Sequence, residues 1–131
     1  MSKPPTQQQT LRVLIADDHE LTRYTLQLVL SARPAITLVG TAANGQEALE
    51  IAKQQAVDVL VMDLQMPVMD GLSASKKIKQ INPKAQIIAY SSLENPQTEA
   101  LSHSANIDAF CPKETPTEDL VNLIKQLGRN A

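Results

Sequence analysis

Apolar residues fall along this chain in short, nearly unbroken runs, separated by stretches in which they recur every third or fourth position. Leu11 to Ala16 (LRVLIA), Ile36 to Ala42, Val57 to Met62 (VDVLVM), Gln86 to Tyr90 (QIIAY) and Asp108 to Cys111 are runs of the first kind. They are too short for helices and rich in β-branched residues, so they predict five strands, the most apolar of them buried on both faces. The second kind predicts helices. From Glu20 to Ala32, Leu21, Tyr24, Thr25 and Leu28 recur at helical spacing, and Pro34 enforces a stop. Asn44 followed by Glu47 is a capping-type start for a helix that runs through Ala48, Leu49, Ile51 and Ala52 to Gln55. Asp70 can cap Gly71 to Gln80, with Leu72 and Ile78 inward and Pro83 closing it off. Asn95-Pro96 opens a weaker helix to Ser104. Thr115, Pro116 and Glu118 form a capping box for a last helix whose apolar face is Leu120, Leu123, Ile124 and Leu127. Its acids Glu118 and Asp119 lie near the positive end, and Lys125 and Arg129 near the negative one.

Strands that alternate with helices across short loops imply an α/β fold: a doubly wound, five-stranded parallel sheet with helices on both faces. The flavodoxin-like order 2-1-3-4-5 is the expected one, and it makes the first, third, fourth and fifth strands neighbours. Their C-terminal ends carry Asp17 and Asp18, Asp63, Ser91, and Lys113. That edge is where open parallel sheets bind ligands. The stretch after Asp63, Leu64 to Asp70 with Pro67 inside and Gly71 at its close, cannot continue the strand and so holds Asp63 at a mouth.

Composition narrows the class of protein. With 131 residues, 43% hydrophobic and 20% charged, the chain suits one globular domain. No apolar run approaches the roughly 18 residues of a membrane span, so no membrane role is expected. Residues 1–10, polar and proline-containing, read as a disordered leader rather than a secretory signal. The single cysteine, Cys111, excludes an intramolecular disulfide and suits a reducing cytoplasm. A net charge of -2 argues against direct nucleic-acid binding.

Three carboxylates on one rim repel one another, and without compensation at least one is pushed toward its protonated form. A hard divalent cation resolves this, and Mg²⁺ is content with one or two carboxylates, a backbone carbonyl and several waters. A carboxylate beside Mg²⁺ can also act as nucleophile on a phosphoryl group, while Lys113 neutralises the phosphoryl oxygens and Ser91 donates a hydrogen bond to them. Taken singly, Asp18 is more often a helix cap, Lys113 a solvated surface lysine and Ser91 uninformative. Together, at the ends of adjacent strands, they point to phosphoryl chemistry.

These residues resemble those of the receiver domain of a bacterial two-component response regulator: Asp17-Asp18, Asp63 followed by MPVMDG, Ser91 and Lys113, over Leu11 to about Arg129. DDHELTR and FCPKETPTEDL are most similar to the NarL/FixJ class. The resemblance implies a CheY-like fold over residues 11–129 and a phosphoacceptor switch rather than an enzyme acting on other molecules. It implies that Asp63 takes phosphate from a sensor histidine kinase and that Asp18, Asp63 and the Gln65 carbonyl bind Mg²⁺, with Asp17 helping through water. Lys113 would pair with the phosphoryl group. Ser91 and Phe110 would be the switch pair, turning the surface of the fourth and fifth helices toward an output partner, expected to act in transcription. Dimerisation on phosphorylation is expected. Contact with DNA would come only through a C-terminal helix-turn-helix module, which these residues do not include; an excised domain is favoured over a stand-alone receiver. The resemblance places Gln65 and Leu93 over the phosphoryl group, where they are expected to set how long the phosphate stays, with the bulky apolar Leu93 excluding attacking water.

Two features depart from the pattern. Pro112 precedes Lys113, where many receivers have proline after it; an edge strand tolerates this. Phe110 lacks a hydroxyl, so any switching there works by packing. His19 reads as a helix-start residue, because the oxygen-rich site suits Mg²⁺ better than an imidazole-preferring metal. His103 reads as solvated, and Cys111 as a small buried hydrophobe. Of the competing classes, a flavodoxin-like electron carrier would need a phosphate-cradling loop where Asp17 and Asp18 stand. An aspartyl-phosphate hydrolase would want a second acid where Gln65 stands, and a degenerate, purely binding receiver would not keep all the acids and Lys113.

Overall fold

The computed structural model describes residues 10–92 and 106–129. Its strands are β1 (Leu11–Ala16), β2 (Ile36–Ala42), β3 (Val59–Met62), β4 (Gln86–Ser91) and β5 (Ala109–Pro112). Its helices are α1 (Glu20–Ser31), α2 (Gly45–Gln54), α3 (Gly71–Ile81) and α4 (Thr117–Gly128). The helix expected over Asn95 to Ser104, with His103, lies outside the described residues, as do Leu93 and nearly all of the expected leader.

All strand pairs are parallel and the order is β2-β1-β3-β4-β5, as the alternation of elements required. Each central strand splits its side chains between two layers, because successive residues of a strand face opposite sides. Leu14, Ala16, Leu60, Met62, Ile87 and Ala89 join Ala48, Leu49, Ala74 and Ile78 of α2 and α3 in one core. Val13, Ile15, Val59, Val61, Ile88 and Tyr90 join Leu26 and Leu30 of α1 and Leu120, Val121 and Ile124 of α4 in the other. Continuous apolar runs were the sequence signature of this double burial. Fully burying a Leu or Ile side chain stabilises by about 1.5–3 kcal/mol.

Two helix starts follow the chemistry read from the sequence. Asn44 Oδ1 accepts the Glu47 N–H at 2.9 Å, and Glu47 reaches back to the Ala43 N–H at 2.8 Å rather than to the cap's own. Asp70 accepts both the amide (2.8 Å) and the hydroxyl (2.9 Å) of Ser73. Burial would raise the Asp70 carboxyl, but those bonds outweigh it and hold it below the ordinary aspartate value.

Three expectations are corrected. The recurring set on α1 faces outward: Leu21 is 77% exposed, and Tyr24 and Leu28 are also exposed, while Leu26 and Leu30 meet the sheet. Helix α1 carries two apolar stripes, and spacing alone does not say which one packs. The capping box of α4 does not form, and the helix begins at Thr117 with no side-chain cap. Both residues are engaged otherwise: the Thr115 amide donates to the Pro112 carbonyl at 3.0 Å, and Glu118 forms a two-pronged pair with Arg33 at 3.1 and 2.6 Å. Strand β3 starts at Val59 rather than Val57; just ahead of it Asp58 turns its carboxylate onto the Arg12 amide at 2.8 Å.

Gly71 sits where α3 leaves the loop after β3. A Cβ there would lie 2.2 Å from the Asp63 carbonyl oxygen and 2.8 Å from Leu64 Cα, both rigid backbone. Gly71→Ala is therefore expected to lower stability by about 1–3 kcal/mol in urea unfolding, whereas an unchanged midpoint would show that the loop yields freely.

Candidate functional site at the C-terminal edge of the sheet

Register brings the site together. Ala16 of β1 pairs with Met62 of β3, and Met62 with Ala89 of β4. The ladder then runs one bond further at each strand: Asp17 N–H to Ala42 O (3.0 Å), Asp63 N–H to Ala16 O (2.8 Å) and Lys113 N–H to Ser91 O (2.9 Å). Backbone hydrogen bonds therefore fix the residues that carry the chemistry. Pro112, which has no N–H to give, stands opposite Ser91 on the edge strand, where the loss is tolerated.

Asp17, Asp63 and Ser91 are buried, whereas Asp18 is exposed at the mouth. One oxygen of Asp63, Oδ1, accepts the Gln65 N–H at 3.0 Å and the Ser91 hydroxyl at 3.3 Å. The other, Oδ2, faces the Lys113 ammonium at 3.2 Å. Lys113 also lies 2.8 Å from Asp17 Oδ2 and 6.0 Å from the centre of the Tyr90 ring. Asp18, His19, Asp63, Gln65, Ser91, Ser92 and Lys113 line a cleft of about 340 Å³.

Burial pushes the Asp63 carboxyl above its ordinary value, and the Asp17 charge adds to this; the Gln65 amide and Lys113 oppose it without cancelling it. The upward shift expected from mutual repulsion is thus present, but desolvation is its larger cause. Burial alone would lower Lys113, but the Asp17 and Asp63 carboxylates outweigh it and hold the ammonium above its usual value. Tyr90, buried beside the Cys111, Asp17 and Glu114 charges, is pushed up to about 12.

The loop after Asp63 is shaped for close approach. Val68, at φ 68 and 83% exposed, occupies the left-handed region that a β-branched residue rarely adopts. Met69 N–H bonds Pro67 O at 2.7 Å across it, closing a three-residue turn. The loop is tied to α2 by the Gly45 N–H to Met69 O bond of 2.9 Å.

The match to known proteins is decisive. The sequence model of the response regulator receiver domain covers residues 13–125. This chain belongs to the response regulator receiver family. The response regulator protein VraR of Staphylococcus aureus is 31% identical over 120 residues, covering 92% of this chain and 57% of VraR. The chain thus spans about 57% of the length of that curated relative. Among solved structures, the receiver domain of the putative regulator NarL of Mycobacterium tuberculosis is similar with a TM-score of 0.86 at 24% identity, covering 95% of this chain and 100% of that one. CheY of Borrelia burgdorferi, in a complex with CheX, BeF3 and Mg²⁺, has a TM-score of 0.78 at 24% identity, covering 89% and 88%. The receiver family expected from the sequence is borne out by the family match, and the fold by the structures.

The receiver brings Asp17, Asp18, Asp63, Gln65, Ser91 and Lys113 to one place. Phe110 is half-buried on β5 and packs against the α2 and α3 core rather than lining the cleft. Two residues were missed. His19 does stand at the start of α1, in the N-cap position, but its side chain makes no cap bond and turns back so that Nδ1 lies 2.9 Å from Asp17 Oδ1. Arg23 donates to the Asp17 carbonyl at 2.7 Å and fixes the turn. His19 could have been suspected from its adjacency to the acid pair; Arg23 left no signal.

A raised Asp63 means that the folded receiver holds this proton more readily than the unfolded chain. Its ionisation therefore costs stability, a cost absent at low pH that grows as pH rises through the folded value. Asp63→Asn, studied by calorimetry in chelator, is expected to melt a few degrees above the parent at neutral pH, with the gap closing on acidification. A lower melting temperature at neutral pH would contradict it.

Proposed function

We propose that the receiver is a phosphorylation-controlled switch in which Asp63 takes a phosphoryl group from the phosphohistidine of a sensor histidine kinase. The observation that carries this reading is a buried carboxylate whose Oδ2 is 3.2 Å from Lys113 and whose Oδ1 is held by Gln65 and Ser91. With Oδ1 engaged, the carboxylate is oriented for attack. An Asp63 oxygen forms the new bond to phosphorus as the P–N bond to the donor imidazole breaks, and the imidazole leaves with its electron pair and takes up a proton.

Lys113 then pairs with the phosphoryl oxygens. Ser91, whose hydroxyl already faces Asp63, turns to donate to them. Phe110, paired in register with Ala89, would reposition when Ser91 moves. The output surface would be β5, α4 and the helix expected over Asn95 to Ser104, with phosphorylation favouring one of two conformations and self-association. In a longer regulator, control of transcription would come through a DNA-binding module.

The donor set fits Mg²⁺. Oxygens of Asp17, Asp18 and Asp63 cluster within 4.8 Å. The buried Asp17 Oδ2 lacks a well-directed hydrogen bond even though the Lys113 ammonium is 2.8 Å away. Asp18, Asp63 and the Gln65 carbonyl would hold the ion, and Asp17 would support it through water. When bound, Mg²⁺ neutralises charge on the transferring group. No helix among the described residues is long and apolar enough to cross a membrane.

The test is incubation with acetyl phosphate and Mg²⁺ followed by intact-mass measurement. One added phosphoryl group is expected, absent from Asp63→Asn and formed on the order of 10²-fold more slowly in Lys113→Ala. An Asp63→Asn chain that still gains phosphate would overturn the assignment.

A further inference from the structure

We propose that Glu114 is a positioning residue for Ser91: through Ser92 it closes a clasp across the ends of β4 and β5 that holds the receiver in its unphosphorylated conformation. This deepens the reading of Asp63 as phosphoacceptor and rests on it. Ser92 Oγ donates to Glu114 Oε2 at 2.9 Å, joining residues 22 positions apart. One residue earlier on both segments, the Lys113 N–H donates to the Ser91 carbonyl, also at 2.9 Å. Two consecutive residues at the end of β4 are thus tied to two consecutive residues at the end of β5, the first pair by backbone and the second by side chains.

The Ser91 hydroxyl is held less firmly than the chain around it. It donates to Asp63 Oδ1 at 3.3 Å and accepts the Leu64 N–H at 3.4 Å, both longer than well-made bonds of their kind. Giving up those two contacts costs little. What keeps Ser91 in place is therefore the backbone tie to Lys113 and the clasp beyond it. Ser91, Ser92 and Lys113 line the cleft, whereas Glu114 is exposed and stands outside that lining. Its charge is nevertheless felt at Tyr90, the residue before Ser91, where it helps to raise the phenol. Glu114 thus lies against the end of β4 and acts on Ser91 through Ser92, not by touching the phosphoryl group.

A Ser91 that follows the phosphoryl oxygens carries Ser92 with it and must break the bond to Glu114. The clasp favours the unphosphorylated member of two conformations, and opening it moves the population toward the other one even with no phosphate present. One hydrogen bond shifts such a balance by about two- to tenfold, enough to set a resting level and too little to resist phosphorylation.

The test titrates the receiver with beryllofluoride and Mg²⁺, beryllofluoride standing in for a phosphoryl group on a carboxylate, and follows the amide NMR signals of the parent, Ser92→Ala, Glu114→Ala and the double variant. Expected is beryllofluoride binding about two- to tenfold tighter in each single variant, with no further gain in the double one, because either substitution opens the same clasp. Before beryllofluoride is added, the Ser91 and Lys113 amide signals of the variants are expected part-way along the line from the parent's free to its bound positions. Mere loss of stability does not move them along that line. Unchanged or weaker binding in the single variants, additive gains in the double variant, or signals that leave the line overturn the clasp and leave the Asp63 reading standing. A folded parent whose signals around Asp63 do not respond to beryllofluoride and Mg²⁺ overturns the phosphoacceptor reading itself, and the clasp with it.

Discussion

Confinement of negative charge in a largely buried corner governs this structure. Asp17 and Asp63 are 1% and 4% exposed, and they share a single lysine ammonium. Desolvation resists ionisation of Asp63, and Lys113 only partly relieves it. A fold selected for stability alone would put apolar side chains here. What the corner offers instead is a carboxylate in a setting where a cation or a phosphoryl group, once present, finds its partners already in position.

The sheet makes that corner possible. Parallel pairing of β1, β3 and β4 in register aligns their C-terminal ends, and backbone bonds one residue past each strand hold Asp17, Asp63 and Lys113. Two large cores, one on each face, supply the rigidity. The loop after β3 carries the irregular geometry, with Val68 in a strained conformation and Gly71 packed against the Asp63 carbonyl. Strain of this kind persists only where surrounding structure over-determines it.

Much of this was legible because it depends on local pattern. Apolar runs ending in acids gave the strands and their rim, and Asn44 and Asp70 announced α2 and α3 through short polar side chains well placed to accept an amide three residues on. Tertiary choices were not legible. Helix α1 bears two apolar stripes, and the one containing Leu21, Tyr24 and Leu28 faces outward because Leu26 and Leu30 take the sheet. Thr115 and Glu118 have the spacing of a capping box, but Arg33, far away in sequence, takes the Glu118 carboxylate. His19 was read as a helix start, which it is; that its ring folds back over the acids depends on a turn whose geometry Arg23 helps to set from α1.

The central claim is that one carboxylate, and not its acidic neighbours, carries the phosphoryl group. An aspartyl phosphate is an acyl phosphate, so borohydride reduces it to homoserine and marks the residue permanently. After treatment with acetyl phosphate, reduction and peptide mapping, the account predicts homoserine at position 63 alone. Homoserine at position 17 or 18, or a phosphorylated chain that yields none, would contradict it.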